Sequence, residues 1–283
     1  MNQQRVTLLV LLDLSAAFDT VDHTWNWMLQ DRLKPNYDKT EFIVIGTRQQ
    51  LAKVNVDSVQ VGESIVTAAS KVRNLGCWFD DQLKMDTHIN NICRSAFFHL
   101  YNIRTIRKYL SSDCAQTLVN AFVTSRLDFC NSLLYGLKGN QLQKLQRVQN
   151  AAARVICNIS RYEHISPSLY NLHWLPVSYR IQFNILLLVY KTLNGLAPLY
   201  LSELIELKKP GRYNLRTNSD TLLLKYPAFK SLTTLGDRSF TCAAPKLWNS
   251  LPKAIRCANN VNIFKSLLKT HLFRDAFSCY EKQ

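Results

Sequence analysis

No stretch of the sequence is apolar for long enough to cross a bilayer. The longest apolar run near the start, Leu8 to Leu12, stops at Asp13, far short of the ~20 residues that a spanning helix needs. No small-residue cleavage site follows that run, so it also fails as an export signal. No C-x-x-C pair occurs among the eight cysteines, which are scattered singly. That excludes the common structural zinc sites. Without an export signal the cysteines read as reduced thiols, mostly buried, in a nuclear or cytoplasmic protein that is not secreted. The sequon Asn158-Ile159-Ser160 then has no use. Repeats and low-complexity tracts are missing too. The composition, 47% apolar and 19% charged over 283 residues, excludes wholesale disorder.

Carboxylates are also scarce, and unevenly so. Lys and Arg number 35 against 20 Asp and Glu. Residues 1–46 sum to −2, whereas the rest of the chain sums to +17. An acidic head on a strongly basic body points to a polyanionic partner for the body.

Hydrophobic period divides the chain in the same way. Residues 5–13 read as a buried strand that delivers Asp13 at its end, and residues 16–30 as a helix. The breaker Lys34-Pro35-Asn36 precedes a second strand over 41–45. Residues 54–66 alternate as a small hairpin, and 72–79 form another short strand. Beyond residue 85 the period changes to three and four. Ile89, Ile92, Cys93, Ala96, Phe97, Leu100, Ile103 and Ile106 make the stripe of an amphipathic helix. Further helices are predicted over 113–125, from 139–140 onward, over 178–193 with a C-terminal signal at Asn194-Gly195, and over 261–276. On the helix that begins near 139, Leu142, Leu145, Val148, Ala152 and Val155 form the apolar stripe. Lys144, Arg147 and Arg154 share a different face.

One string is more specific than any period. Leu11-Leu12-Asp13-Leu14-Ser15-Ala16-Ala17-Phe18-Asp19-Thr20-Val21-Asp22-His23 resembles the first catalytic motif of reverse transcriptases from non-LTR (LINE-type) retrotransposons. The resemblance implies that Asp13 matches a carboxylate holding the two Mg²⁺ ions of nucleotidyl transfer. It implies that Phe18 matches the aromatic gate against the ribose 2′-hydroxyl. Leu33 to Phe42 is similar to the segment just after the family's catalytic hairpin. Lys39 there matches a lysine that protonates the leaving pyrophosphate, and reads equally as a solvated turn residue. Val72-Arg73-Asn74-Leu75-Gly76 resembles the primer-gripping segment. Four later strings resemble the family without implying any chemistry: Ser125 to Gly136, Leu145 to Arg154, His173 to Val177, and Leu247 to Pro252.

The match is interrupted between His23 and Leu33. There the family has a Gly-rich, Gln-containing substrate motif and an aromatic-x-Asp-Asp hairpin, and neither is present. The polymerase fingers that precede this motif in the family are expected to be missing ahead of Asp13 as well. Two metals about 3.5–4 Å apart need carboxylates from two chain segments, and Asp13 alone is one. The string Trp78-Phe79-Asp80-Asp81 imitates the missing hairpin but follows Leu75-Gly76, where the family has a solvated turn. The expectation is therefore a chain that binds no Mg²⁺ productively and does not polymerise.

Basic and aromatic residues do interleave downstream. Arg94, Arg104 and Lys108, with Tyr101, Arg107 and Tyr109 beside them, crowd one helix and its end. Lys144, Arg147 and Arg154 follow on another. Such groups track phosphates and stack on bases, and they read equally as solvated helix faces.

The fold class expected is α+β, a small truncated antiparallel palm-like sheet followed by a mainly helical body. Its segments are a palm remnant (1–46), a small β region (47–82), a thumb-like helical region (83–210) and an α-rich end (211–283). The function expected is that of a retroelement-derived protein that binds RNA or DNA, with no membrane partner. Two alternatives stand beside it. One is a polymerase subunit active only when another chain supplies the missing parts. The other is an interaction module, or an unselected remnant, with no nucleic-acid role.

Overall fold

A computed structural model describes residues 7–11, 39–54, 56–61, 64–208, 222–227 and 234–278. Asp13, Phe18 and the helix expected over 16–30 lie outside the described residues. The fold is α+β, with small antiparallel sheets followed by a helical body. The chain divides into two compact units, residues 1–90 and 91–283. The segments read separately as 1–46 and 47–82 thus fall in one unit.

In the first unit the described strands form three two-stranded antiparallel sheets. β1 (Thr7–Leu11) pairs with β2 (Glu41–Ile45) with Leu9 opposite Ile43. β3 (Ser58–Val61) pairs with β4 (Ser64–Thr67), and β5 (Lys71–Asn74) with β6 (Cys77–Asp80). β2 is the hub. Phe42 and Ile43 are adjacent and both fully buried, as in a strand covered on two faces. The Phe42 carbonyl accepts from the Ala69 N–H beyond β4, and the Gly46 N–H donates to the Asp81 carbonyl beyond β6.

The single strand expected over 72–79 is instead the β5–β6 hairpin. Leu75 and Gly76 both take positive φ, 44° and 86°. That is the pattern of a two-residue type I′ turn, whose twist matches the flanking strands. Leucine is a poor residue for the first of those positions, which is why the turn does not announce itself in the sequence.

Four of the predicted helices have nearly the expected bounds. α1 is Asp86–Ile106, α3 is Gly139–Cys157, α4 is Val177–Leu193 and α6 is Val261–Ala276. Two residues past α4, Gly195 takes φ +67°. The helix expected over 113–125 is broken differently. α2 (Ser112–Val119) passes into a π-helical turn (Asn120–Thr124) and a last α-turn (Ser125–Asp128). Its buried residues are Ala115, Val119, Val123 and Leu127. A spacing of four, repeated three times, outruns the 3.6-residue α period, and the wider π turn restores the alignment. Phe122, exposed on the other side, stacks on the half-buried ring of His99 at 5.1 Å.

The core of the second unit surrounds α4. Ile181, Ile185, Leu186, Val189 and Tyr190 are buried. The Tyr190 ring stacks on Phe264 of α6 at 4.2 Å, and its hydroxyl donates to the Ala258 carbonyl at 2.8 Å. α5 (Phe240–Asn249) adds Trp248, whose indole N–H donates to the Leu222 carbonyl. On α6, Phe264, Leu268 and Leu272 are buried, and Ile263 and Leu267 are exposed. The stripe is one residue wide at each turn because only one side of α6 is covered.

The cysteines are unbridged among the described residues, but they are not mostly buried. Cys77 is buried, Cys93, Cys130, Cys157 and Cys242 are half-buried, and Cys114 and Cys257 are exposed. Most lie in the first or last turns of helices or in the loops beside them, where the apolar stripe gives way to solvent.

Candidate nucleic-acid interface

The second unit holds all of the chain's positive excess. Residues 91–283 sum to +17, and residues 1–90 to −2. Part of that charge lines a groove of about 850 Å³ between the C-terminal halves of α1 and α3.

The two helices run side by side in the same direction. Lys144 near the start of α3 lies within electrostatic reach of Cys93 on α1. At the other end, the Arg107 guanidinium just past α1 donates to the carbonyls of Val155 and Ile156 on α3, each at 2.8 Å. It donates also to the Leu110 carbonyl at 2.7 Å. The last carbonyls of a helix have no partners within it and carry the negative end of its dipole. Arg107 satisfies both needs and fixes one wall of the groove against the other.

Five cations line the groove: Arg104, Arg107, Lys108, Arg154 and Arg161. No carboxylate lines it. Of the residues expected to bind nucleic acid, the structure brings Arg104, Lys108 and Arg154 together here. Arg94, Lys144 and Arg147 do not line the groove. They are exposed on the same helices, toward their N-terminal ends. Arg154 is half-committed to its own loop, with its guanidinium on the carbonyls of Ser160 (3.3 Å) and Glu163 (3.2 Å).

Arg161 was missed by periodicity because it lies beyond the helix. Asn158 ends α3 in the left-handed conformation, φ +52°, and turns the chain back so that Arg161 faces the groove. The readable signal is Asn158 itself, a favoured residue at such a helix end. Arg107 lay in view as a charge, but nothing in its spacing marks it as a tie.

The expected chemistry of the first unit fares differently. Asp13 and Phe18 are outside the described residues, and Lys39 is exposed two residues before β2. The imitation hairpin at Asp80-Asp81 is not a solvated turn at its first carboxylate. Asp80 is buried, and its oxygens accept backbone N–H groups from Gln82 (3.3 Å), Lys84 (2.7 Å) and Met85 (2.7 Å). Those bonds shape the lead-in to α1 and occupy both oxygens that a metal would need. No cluster of three or more His, Cys, Asp or Glu side chains able to hold a metal occurs among the described residues.

Among the described residues no thiol centre takes its place. Burial pushes the Cys93 thiol above its ordinary value, against the weaker pull of the Lys144 ammonium. The nearby His99 ring is engaged with Phe98 and Phe122. A second cavity, of about 410 Å³, is lined by Asp128 and Arg180, which pair with each other. Among the described residues no helix is long and apolar enough to cross a membrane. Compared with protein-family models, curated proteins and solved structures, the chain finds no match.

Proposed function

We propose that this chain is a reverse-transcriptase-derived protein of a non-LTR retrotransposon, acting in the nucleus or cytoplasm, whose helical unit binds nucleic acid and which does not polymerise by itself. The observation that carries the binding half is the groove between α1 and α3, with five cations and no carboxylate on its walls. Charge of one sign in a concave surface attracts phosphates and displaces their counterions, so affinity depends steeply on salt. The string around Asp13 supports the origin. The interrupted segment between His23 and Leu33 supports the loss of catalysis.

The test is fluorescence anisotropy of a labelled single-stranded oligonucleotide across a salt series. On a single strand, log affinity falls against log salt with a slope of about −0.7 for each phosphate neutralised. Arg104, Lys108 and Arg161 line the groove without tying its helices together. The combined variant Arg104→Gln, Lys108→Gln, Arg161→Gln is expected to flatten the slope by about two units. Unaltered slope in the variant would remove the groove from the interface. Failure to bind any nucleic acid at low salt would reject the function.

A further inference from the structure

The groove's charge is not continuous. On α1 and the turn just past it, residues lining it recur at three and four, and they run Phe97, Tyr101, Arg104, Lys108. On α3 the lining residues are Ala151, Arg154 and Val155. The Arg107 tie sets the register at the C-terminal end, and on each wall the uncharged part lies just N-terminal to the cations. Phe97, Tyr101 and Ala151 all line the groove.

The walls of this uncharged part specify what it holds. Tyr101 is 72% exposed and Phe97 45% exposed. Rings kept for the core of the unit would be covered. The wall opposite has a methyl group, so a flat body fits between. A flat, uncharged body next to an anion is the description of a base beside its phosphate. The bases of a duplex already have both faces covered by their neighbours, and uncovering one requires unstacking. A base in a single strand offers its face at little cost.

We infer that the groove is a single-strand site in which a base stacks on the Tyr101 ring, in the groove that Tyr101 shares with Ala151, with the neighbouring phosphate held by the cations next to it. This rests on the nucleic-acid reading above and adds to it the strand state and the residue that selects it. Because no carboxylate lines the groove and stacking accepts any base, the site tolerates sequence.

The experiment uses the full chain and three labelled 20-mers: a mixed-sequence single strand, its duplex, and an abasic single strand of equal length. The variants are Tyr101→Leu and Tyr101→Phe, both at an exposed position. Tyr101→Leu is expected to weaken binding of the mixed single strand by about 5- to 150-fold, the range for losing one stacked base, with the salt slope unchanged. Tyr101→Phe, which keeps the ring, should bind within about twofold of the parent. The abasic strand and the duplex should each bind the parent and Tyr101→Leu equally, and more weakly than the mixed strand binds the parent. If Tyr101→Leu binds the mixed strand as the parent does, or loses as much on the abasic strand, the stacking site is wrong while phosphate binding stands. If none of the three probes binds at low salt, the nucleic-acid reading falls, and the inference with it.

Discussion

His88 sits in the first turn of α1, 3% exposed, and its Nε2 meets no hydrogen-bond partner among the described residues. Burial pushes its imidazole below the ordinary value of 6.5. The folded chain therefore resists a proton that the unfolded chain accepts. Above about pH 6.5 neither state binds it and stability is unaffected. As pH falls from there toward the lower folded value, the unfolded state is favoured and stability is lost. Denaturant midpoints measured between pH 7.5 and 5 should fall more steeply for the parent than for His88→Gln, which takes up no proton. Parallel pH profiles would show that His88 finds a partner or solvent. Single residues were also where sequence reading reached its limit. Charge and period place Arg107 on a basic helix end and Asp80 beside a turn. What each binds depends on backbone groups elsewhere, which no local pattern encodes.

At the scale of elements, three strings that resemble the retroelement family turn out to be parts of one joint. From the Ser125–Gly136 string, Asp128 pairs bidentately with Arg180 of α4, and Asn131 accepts from Asn184 at 2.7 Å. From the Leu145–Arg154 string, the Gln146 side chain accepts the Val177 N–H at the start of α4. Gln149 Nε2 donates to the Leu175 carbonyl at 2.8 Å, inside the His173–Val177 string. The fourth string closes a separate clasp, with Asn249 both donating to Leu224 and accepting from it. A joint of this kind explains strings without chemistry: they are specific because buried polar groups need particular partners. Gln149 is 1% exposed. Gln149→Leu would leave the Leu175 carbonyl unsatisfied, so a loss of about 1–3 kcal/mol is expected in chemical unfolding. Gln143→Leu, on the exposed side of the same helix, should stay within about 0.5 kcal/mol. Equal effects would mean that the joint contributes nothing. The bounds of α1, α3, α4 and α6 were legible because a 3.6-residue stripe persists over four turns or more. The π turn and the β5–β6 hairpin were not, because each depends on one local departure from period.

For the molecule as a whole, charge and catalytic expectation fall in different units. The string around Asp13 belongs to the unit that sums to −2, and the groove to the unit that sums to +17. Binding is therefore expected to survive where synthesis does not. With a primed RNA template and either Mg²⁺ or Mn²⁺, the purified chain should make no extension product, because carboxylates from two segments are needed. A template-dependent product that disappears in Asp13→Ala would overturn that expectation. The Arg107 tie carries a consequence in time. Its guanidinium reaches carbonyls 48 and 49 residues further along the chain. A polypeptide growing from its N-terminus displays the cations of α1 well before the opposing wall exists. The cleft is thus a late product of synthesis. A nascent chain halted before Ile156 would be sticky toward polyanions without discriminating among them, and selectivity would arrive only when α3 closes against its neighbour.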